Sequence, residues 1–112
     1  MDKLYVIVRN DLCPGLQIAQ ACHALRAFVE DQPEAERSWH DASNNLVVLQ
    51  VPNEEELTAL GATLGSHGIP VAPFHEPDLD GSLTALAAGP EARRYVCRLP
   101  LALAAATARA AA

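Results

Sequence analysis

The sequence predicts an α/β fold, a compact three-layer sandwich on a mixed four-stranded sheet, with elements in the order β-α-β-α-β-β-α. Three observations predict it. A continuous apolar run, Leu4 to Val8, is followed by a short polar loop and then by apolar residues at helical spacing. The same alternation returns at Leu46 to Val51. Two further apolar runs, Ile69 to Phe74 and Leu83 to Ala88, are joined by a charged loop with no helix between them. Strands joined through helices pair in parallel with right-handed crossovers, whereas strands joined by a loop can pair antiparallel.

Each element has a local reason. Leu4 to Val8 is rich in β-branched residues and does not alternate with polar ones, so it reads as a central strand covered on both faces. Arg9-Asn10-Asp11 ends it, and Cys13-Pro14-Gly15 makes the turn, with Pro14 suited to a first helical turn. A helix is expected from about Gly15 to Glu30. Ile18, Ala21, Cys22, Leu25, Phe28 and Val29 form its apolar stripe, and Leu16, Ala19, Gln20, His23 and Ala27 form a mixed second flank that meets another layer or faces a site. After Pro33, Glu34 to Trp39 suits a short extra helix, with Trp39 packed over the sheet edge.

Leu46 to Val51 is the second strand, stopped by Pro52. Asn53 with Glu56 fits a helix N-cap, and Glu54 and Glu55 favour the positive helix end. Leu57, Leu60 and Leu64 share one face of that helix, which His67-Gly68 ends. Ile69 to Phe74 is the third strand, kept short by Pro70 and Pro73. The charged loop His75 to Gly81 leads to the fourth strand, Leu83 to Ala88. Gly89-Pro90 turns the chain, and Glu91 opens the last helix. The whole chain, 1–112, is expected to be one domain, with an alanine-rich tail at 104–112 that is a fraying helix or a low-complexity end.

The chain carries 8 basic and 14 acidic residues, a formal charge of -6, with no basic arm. That balance argues against non-specific nucleic-acid binding, DNA included, because affinity for phosphate backbones comes largely from Lys and Arg. A small specific site remains compatible with it. The 3 cysteines form no CxxC pair, which fits a reducing cytoplasm, and no apolar run is long enough to span a membrane.

Candidate chemistry is concentrated in a few places. Asp11 follows a strand end, where α/β ligand crevices open, and it serves equally well as a loop cap. His23 on the next helix is a base, a ligand-binding group or a satisfied core histidine. Glu76, Asp78 and Asp80 crowd one loop, as a general base, as ligands of a divalent ion or as a solvated turn, at spacings that fall short of a calcium loop. No metal or cofactor motif is present, and Gly15 alone makes no phosphate-cradling loop. Arg93, Arg94 and Arg98 are the densest basic feature, able to steer a phosphate backbone if folded beside Asp11, or to form an ordinary solvated face.

The segment Val6 to Ala24, VIVRNDLCPGLQIAQACHA, resembles the archaeal/eukaryotic-type (second class) peptidyl-tRNA hydrolases. The likeness lies in the strand ending Arg9-Asn10-Asp11-Leu12, the glycine-containing turn, and Ala19-Gln20 followed by His23-Ala24. Glu76 to Pro90, EPDLDGSLTALAAGP, is similar to that family's acidic loop, next strand and closing Gly-Pro. The turn is shorter than the family's, and Leu16 stands nearest the position of its lysine. The resemblance implies a metal-independent, cofactor-free ester hydrolase acting on peptidyl-tRNA, and a homodimer. It further implies a site near Asp11, Gln20, His23 and the Glu76–Asp80 loop. The catalytic candidates are then Asp11, His23, Glu76 and Asp78, and the candidates for contacting substrate are Arg9, Gly15, Gln20 and, from their basic density, Arg93 and Arg94. The alternative is a non-catalytic homologue that uses the same fold to bind a ligand or a protein.

Overall fold

A computed structural model of the protein describes residues 2–104. The tail expected at 104–112 lies, beyond its first residue, outside the described residues. The elements are β1 (Lys3–Arg9), α1 (Pro14–Asp31), α2 (Pro33–Ala42), β2 (Asn45–Val51), α3 (Glu54–Ser66), β3 (Val71–Glu76), β4 (Ser82–Ala88) and α4 (Arg93–Val96). Short 3-10 turns cover Pro77–Leu79 and Pro90–Ala92. The sheet order is β2-β1-β4-β3. β1 pairs in parallel with β2 and antiparallel with β4, and β3 pairs antiparallel with β4. The predicted mixed α/β sheet is therefore the observed one.

β1 is central and buried from Leu4 to Val8, as its unbroken apolar run requires. Its odd residues Tyr5 and Ile7 pack with Leu49, Leu57, Leu64 and Val96 beneath α3 and α4. Its even residues Leu4, Val6 and Val8 pack with Ala24, Phe28, Trp39, Ala85 and Ala87 beneath α1 and α2. Two apolar layers thus flank one sheet. Trp39 is buried and donates its indole N–H to the Asn45 carbonyl at 2.6 Å, fastening α2 to the start of β2. Asn53 caps α3 by accepting from the Glu56 backbone N–H at 2.9 Å.

Most elements lie within a few residues of the sequence reading, and the last helix is a single turn, Arg93–Val96, after a 3-10 turn and not a helix from Glu91. Three differences have a clear local cause. α1 begins at Pro14, one residue before Gly15, because proline's missing N–H and fixed φ suit a first turn. β3 runs Val71–Glu76, not Ile69 to Phe74, because residues 67–69 complete the α3 C-cap. There Gly68 takes φ +68 and the Ile69 N–H donates back to the Leu64 carbonyl at 3.1 Å.

The third difference is the buried face of α1, which is Gln17, Gln20, Ala24 and Phe28. Ile18 and Val29 from the expected stripe are 57% and 40% exposed. Helical spacing puts 17, 20, 24 and 28 on one line as readily as the apolar set. Two glutamines occupy that line because polar partners await both.

Candidate active site

One end of the sheet gathers the C-terminal ends of β1 and β3, the start of β4 and the first turns of α1. The register shows why: Val8 lies beside Ala85, and Ala85 beside Phe74. Two carboxylates, Glu76 and Asp11, are held there in different ways.

The Glu76 node begins with a bulge. Phe74 pairs with Ala85 and His75 with Leu83, so Thr84 is the extra residue on β4. The bulge shifts the strand's period. Leu83 packs with the α3 layer, while the fully buried Thr84 hydroxyl donates to Gln20 Oε1 on α1 at 2.6 Å. Gln20 Nε2 then donates to Glu76 Oε1 at 2.9 Å. The Asp78 backbone N–H reaches the other carboxylate oxygen at 3.3 Å. The loop closes where the Gly81 N–H donates to the Glu76 carbonyl at 2.9 Å, with φ +72 at Gly81.

The Gln20 hydrogen bond, then that from the Asp78 N–H, hold the Glu76 carboxyl below its ordinary range, and His23 adds a smaller electrostatic pull. Hydrogen bonds to the ionised form favour it. Glu76 is therefore an oriented, ionised and partly exposed carboxylate at neutral pH. His23, exposed on the next turn of α1, stacks on Phe74 with ring centroids 4.5 Å apart.

The Arg9 node is a charged clamp. Arg9 Nε and Nη2 donate to the two Asp11 oxygens at 2.9 and 2.8 Å. Nη1 donates to the Leu83 carbonyl at 3.1 Å and lies 3.8 Å from Glu54 Oε1. Glu54 Oε2 accepts the Leu83 backbone N–H at 2.8 Å. The Arg9 hydrogen bonds hold the Asp11 carboxyl low, and Asp11 in turn raises the Arg9 pKa. The bidentate pair ties the loop after β1 to itself, and Glu54 ties β4 to α3.

The structure thus brings Gln20, His23, Glu76 and the Asp78 backbone together, with Arg9 and Asp11 at the same sheet end. Gly15 lies exposed in the first turn of α1, and a Cβ there would meet nothing within 4 Å. Arg93 and Arg94 are not brought to this end. They follow Ala88, which pairs with Tyr5 near the opposite end of the sheet, and α4 packs on the α3 layer. Thr84 was not singled out in the sequence, and Phe74 and Glu54 were read there only as a strand end and a helix-end acid, not as site residues. A hydroxyl within the Leu83 to Ala88 run was the available signal for Thr84. Among the described residues, no three His, Cys, Asp or Glu side chains are grouped to hold a metal ion, and no helix is long and apolar enough to cross a membrane.

Comparison with known proteins covers nearly all of this architecture. The family model described as peptidyl-tRNA hydrolase PTH2 matches residues 2–103. A curated protein of Methanococcus vannielii named peptidyl-tRNA hydrolase is 34% identical over 101 residues, spanning 81% of this chain and 87% of that protein.

Proposed function

The chain belongs to the PTH2 family of peptidyl-tRNA hydrolases, and from that premise we infer that it hydrolyses the ester between a peptidyl or aminoacyl group and the terminal ribose of tRNA. The observation that carries the reading is the Thr84–Gln20–Glu76 relay. A buried hydroxyl fixes an amide, and the amide fixes a carboxylate beside the one exposed histidine of α1.

In this reading Glu76 orients a water molecule and accepts one of its protons as the water oxygen attacks the ester carbonyl. The carbonyl–ribose bond breaks, and that proton passes to the departing ribose oxygen. His23 lies within electrostatic reach of Glu76 and shares the proton handling. Asp78 contributes through its backbone N–H. Asp11 and Arg9 shape the loop that the substrate meets, and Gly15 leaves room for its approach. The chemistry needs neither metal nor cofactor. The family reading extends to a cytoplasmic homodimer, checked by sedimentation at working concentration.

The test is ester loss from a purified peptidyl-tRNA. Turnover above buffer, lost in Glu76→Gln, supports the reading. A folded wild-type protein that only matches buffer overturns it and leaves the second reading, a homologue that binds without catalysis. Leu16 favours that alternative, since an apolar side chain at the helix entrance offers no donor to a phosphate or an oxyanion.

A further inference from the structure

The Thr84–Gln20–Glu76 relay depends on the bulge in β4, and a bulge interrupts the ladder that would otherwise hold the strand. On the other side of β4, pairing with β1 runs only as far as Val8 beside Ala85. Side chains take over from there. The Leu83 N–H donates to Glu54 Oε2 at 2.8 Å, and the Leu83 carbonyl accepts from Arg9 Nη1 at 3.1 Å. Nη1 also lies 3.8 Å from Glu54 Oε1, so the acid and the guanidinium brace each other while they hold Leu83. Both backbone polar groups of one residue are thereby fixed from two separate elements.

Glu54 reaches Leu83 because it is the first residue of α3. The Asn53 cap sets the backbone of that turn, and Leu57, one turn on, is fully buried in the same layer as Leu83. An acid at a helix start ordinarily serves the helix dipole and faces water. Glu55 does so: it is exposed and shares the helix end, but the Leu83 N–H belongs to Glu54.

We propose that Glu54 is a positioning residue for Glu76, acting through the bulge: with Arg9 it holds Leu83 on the α3 side of the sheet, and Thr84 is thereby turned toward Gln20. Strand alternation supplies the link. With Leu83 packed in the α3 layer, the next side chain falls on the α1 side, where Thr84 donates to Gln20. Without the bulge the two would exchange faces, sending the hydroxyl into the apolar α3 layer. Glu54 therefore acts on a carboxylate that it does not touch. The consequence for turnover rests on the hydrolase reading of Glu76, whereas the consequence for the carboxylate itself does not.

The test reads the Glu76 carboxyl by carbon-13 NMR titration of the full chain without substrate, beside single-turnover hydrolysis of peptidyl-tRNA at saturation. The Glu54 side chain is 44% exposed, so alanine there leaves the fold intact. Glu54→Ala should raise the Glu76 titration midpoint toward the ordinary carboxylate range. Removing a nearby negative charge would by itself lower that midpoint, so a rise reports released hydrogen bonds. Hydrolysis should fall by about fivefold as the carboxylate loses its fixed orientation. Glu54→Gln keeps an acceptor for the Leu83 N–H and should restore both quantities. Glu55→Ala removes a charge from the same helix end and should move neither. Added to Thr84→Val, Glu54→Ala should change nothing further, because Thr84 is its only route to Glu76. An unmoved or lowered midpoint in Glu54→Ala, a Glu54→Gln that behaves like alanine, an equal shift in Glu55→Ala, or additive effects with Thr84→Val each overturns the proposal. So does a raised midpoint with unchanged hydrolysis in an active protein. A wild type without hydrolysis removes the hydrolase reading instead, and the titration alone then decides whether Glu54 positions the carboxylate.

Discussion

Asp11 and Glu76 sit at the same end of the sheet, and both carboxyls are held below their ordinary range, but for different reasons. Asp11 has both oxygens on one guanidinium, so its charge is matched by a cation. Glu76 has one oxygen on a neutral amide and the other on a backbone N–H, so its negative charge is oriented without being neutralised. A depressed pKa therefore does not by itself mark a reactive group. On the proposed hydrolase reading, the identity of the partner separates Asp11 as a structural clamp from Glu76 as the carboxylate that acts on water.

The sharpest way to break this comparison is to remove each charge in turn. Glu76→Gln should lower single-turnover hydrolysis of peptidyl-tRNA by about a hundredfold, the usual worth of a positioned general base. Its melting temperature should change little, because the side chain is partly exposed. Equal hydrolysis by the variant and the wild type would remove Glu76 from the chemistry.

Thr84→Val tests the relay beneath it. Gln20 Oε1 would lose its buried donor, at a cost of about 1–3 kcal/mol in urea unfolding. We expect hydrolysis to fall by about tenfold as Glu76 loses its fixed orientation, with Thr84→Ser restoring both quantities. The same stability loss with unchanged turnover would make the relay purely structural.

Asp11→Asn should show the opposite balance. Turnover should stay within about threefold of wild type, while stability falls by about 1 kcal/mol, a modest figure because Asp11 is 40% exposed and solvent screens the pair.

The smallest expected effect is the pH dependence of that difference. The Asp11 pKa is lower folded than unfolded, so its stabilisation is fully present above the unfolded carboxylate range. It is lost as pH falls through the depressed folded value. Urea unfolding of wild type and Asp11→Asn should accordingly differ at neutral pH and converge in acid. A constant gap would mean that the clamp acts by shape and not by charge.

The two nodes also differ in how visible they were. Arg9 and Asp11 lie two residues apart at the end of an apolar strand, and a local pattern can announce such a pair. Gln20 meets Glu76 across 56 positions and Thr84 across 64, and neither spacing leaves a periodic trace. Gln20 and His23 entered the candidate set through the mixed flank of the first helix and through family resemblance, and Thr84 did not enter it. The arginines at 93 and 94 show the converse limit. Their density in the sequence suggested a phosphate-facing patch, yet the turn at Gly89-Pro90 starts them near the opposite end of the sheet from Asp11.

The sequence by itself determined the mixed α/β layering, because unbroken β-branched runs require burial on both faces and helical spacing requires one packed stripe. It also determined the Asn53 cap and the strand-end position of Asp11. Only the tertiary structure decided which line of α1 is buried and which way Thr84 points. A single extra residue in β4 reverses the side of the sheet on which Thr84 falls, and strand periodicity alone assigns it to the other face. That reversal brings a hydroxyl to Gln20, makes a polar residue tolerable in the core, and sets the carboxylate of Glu76 in place.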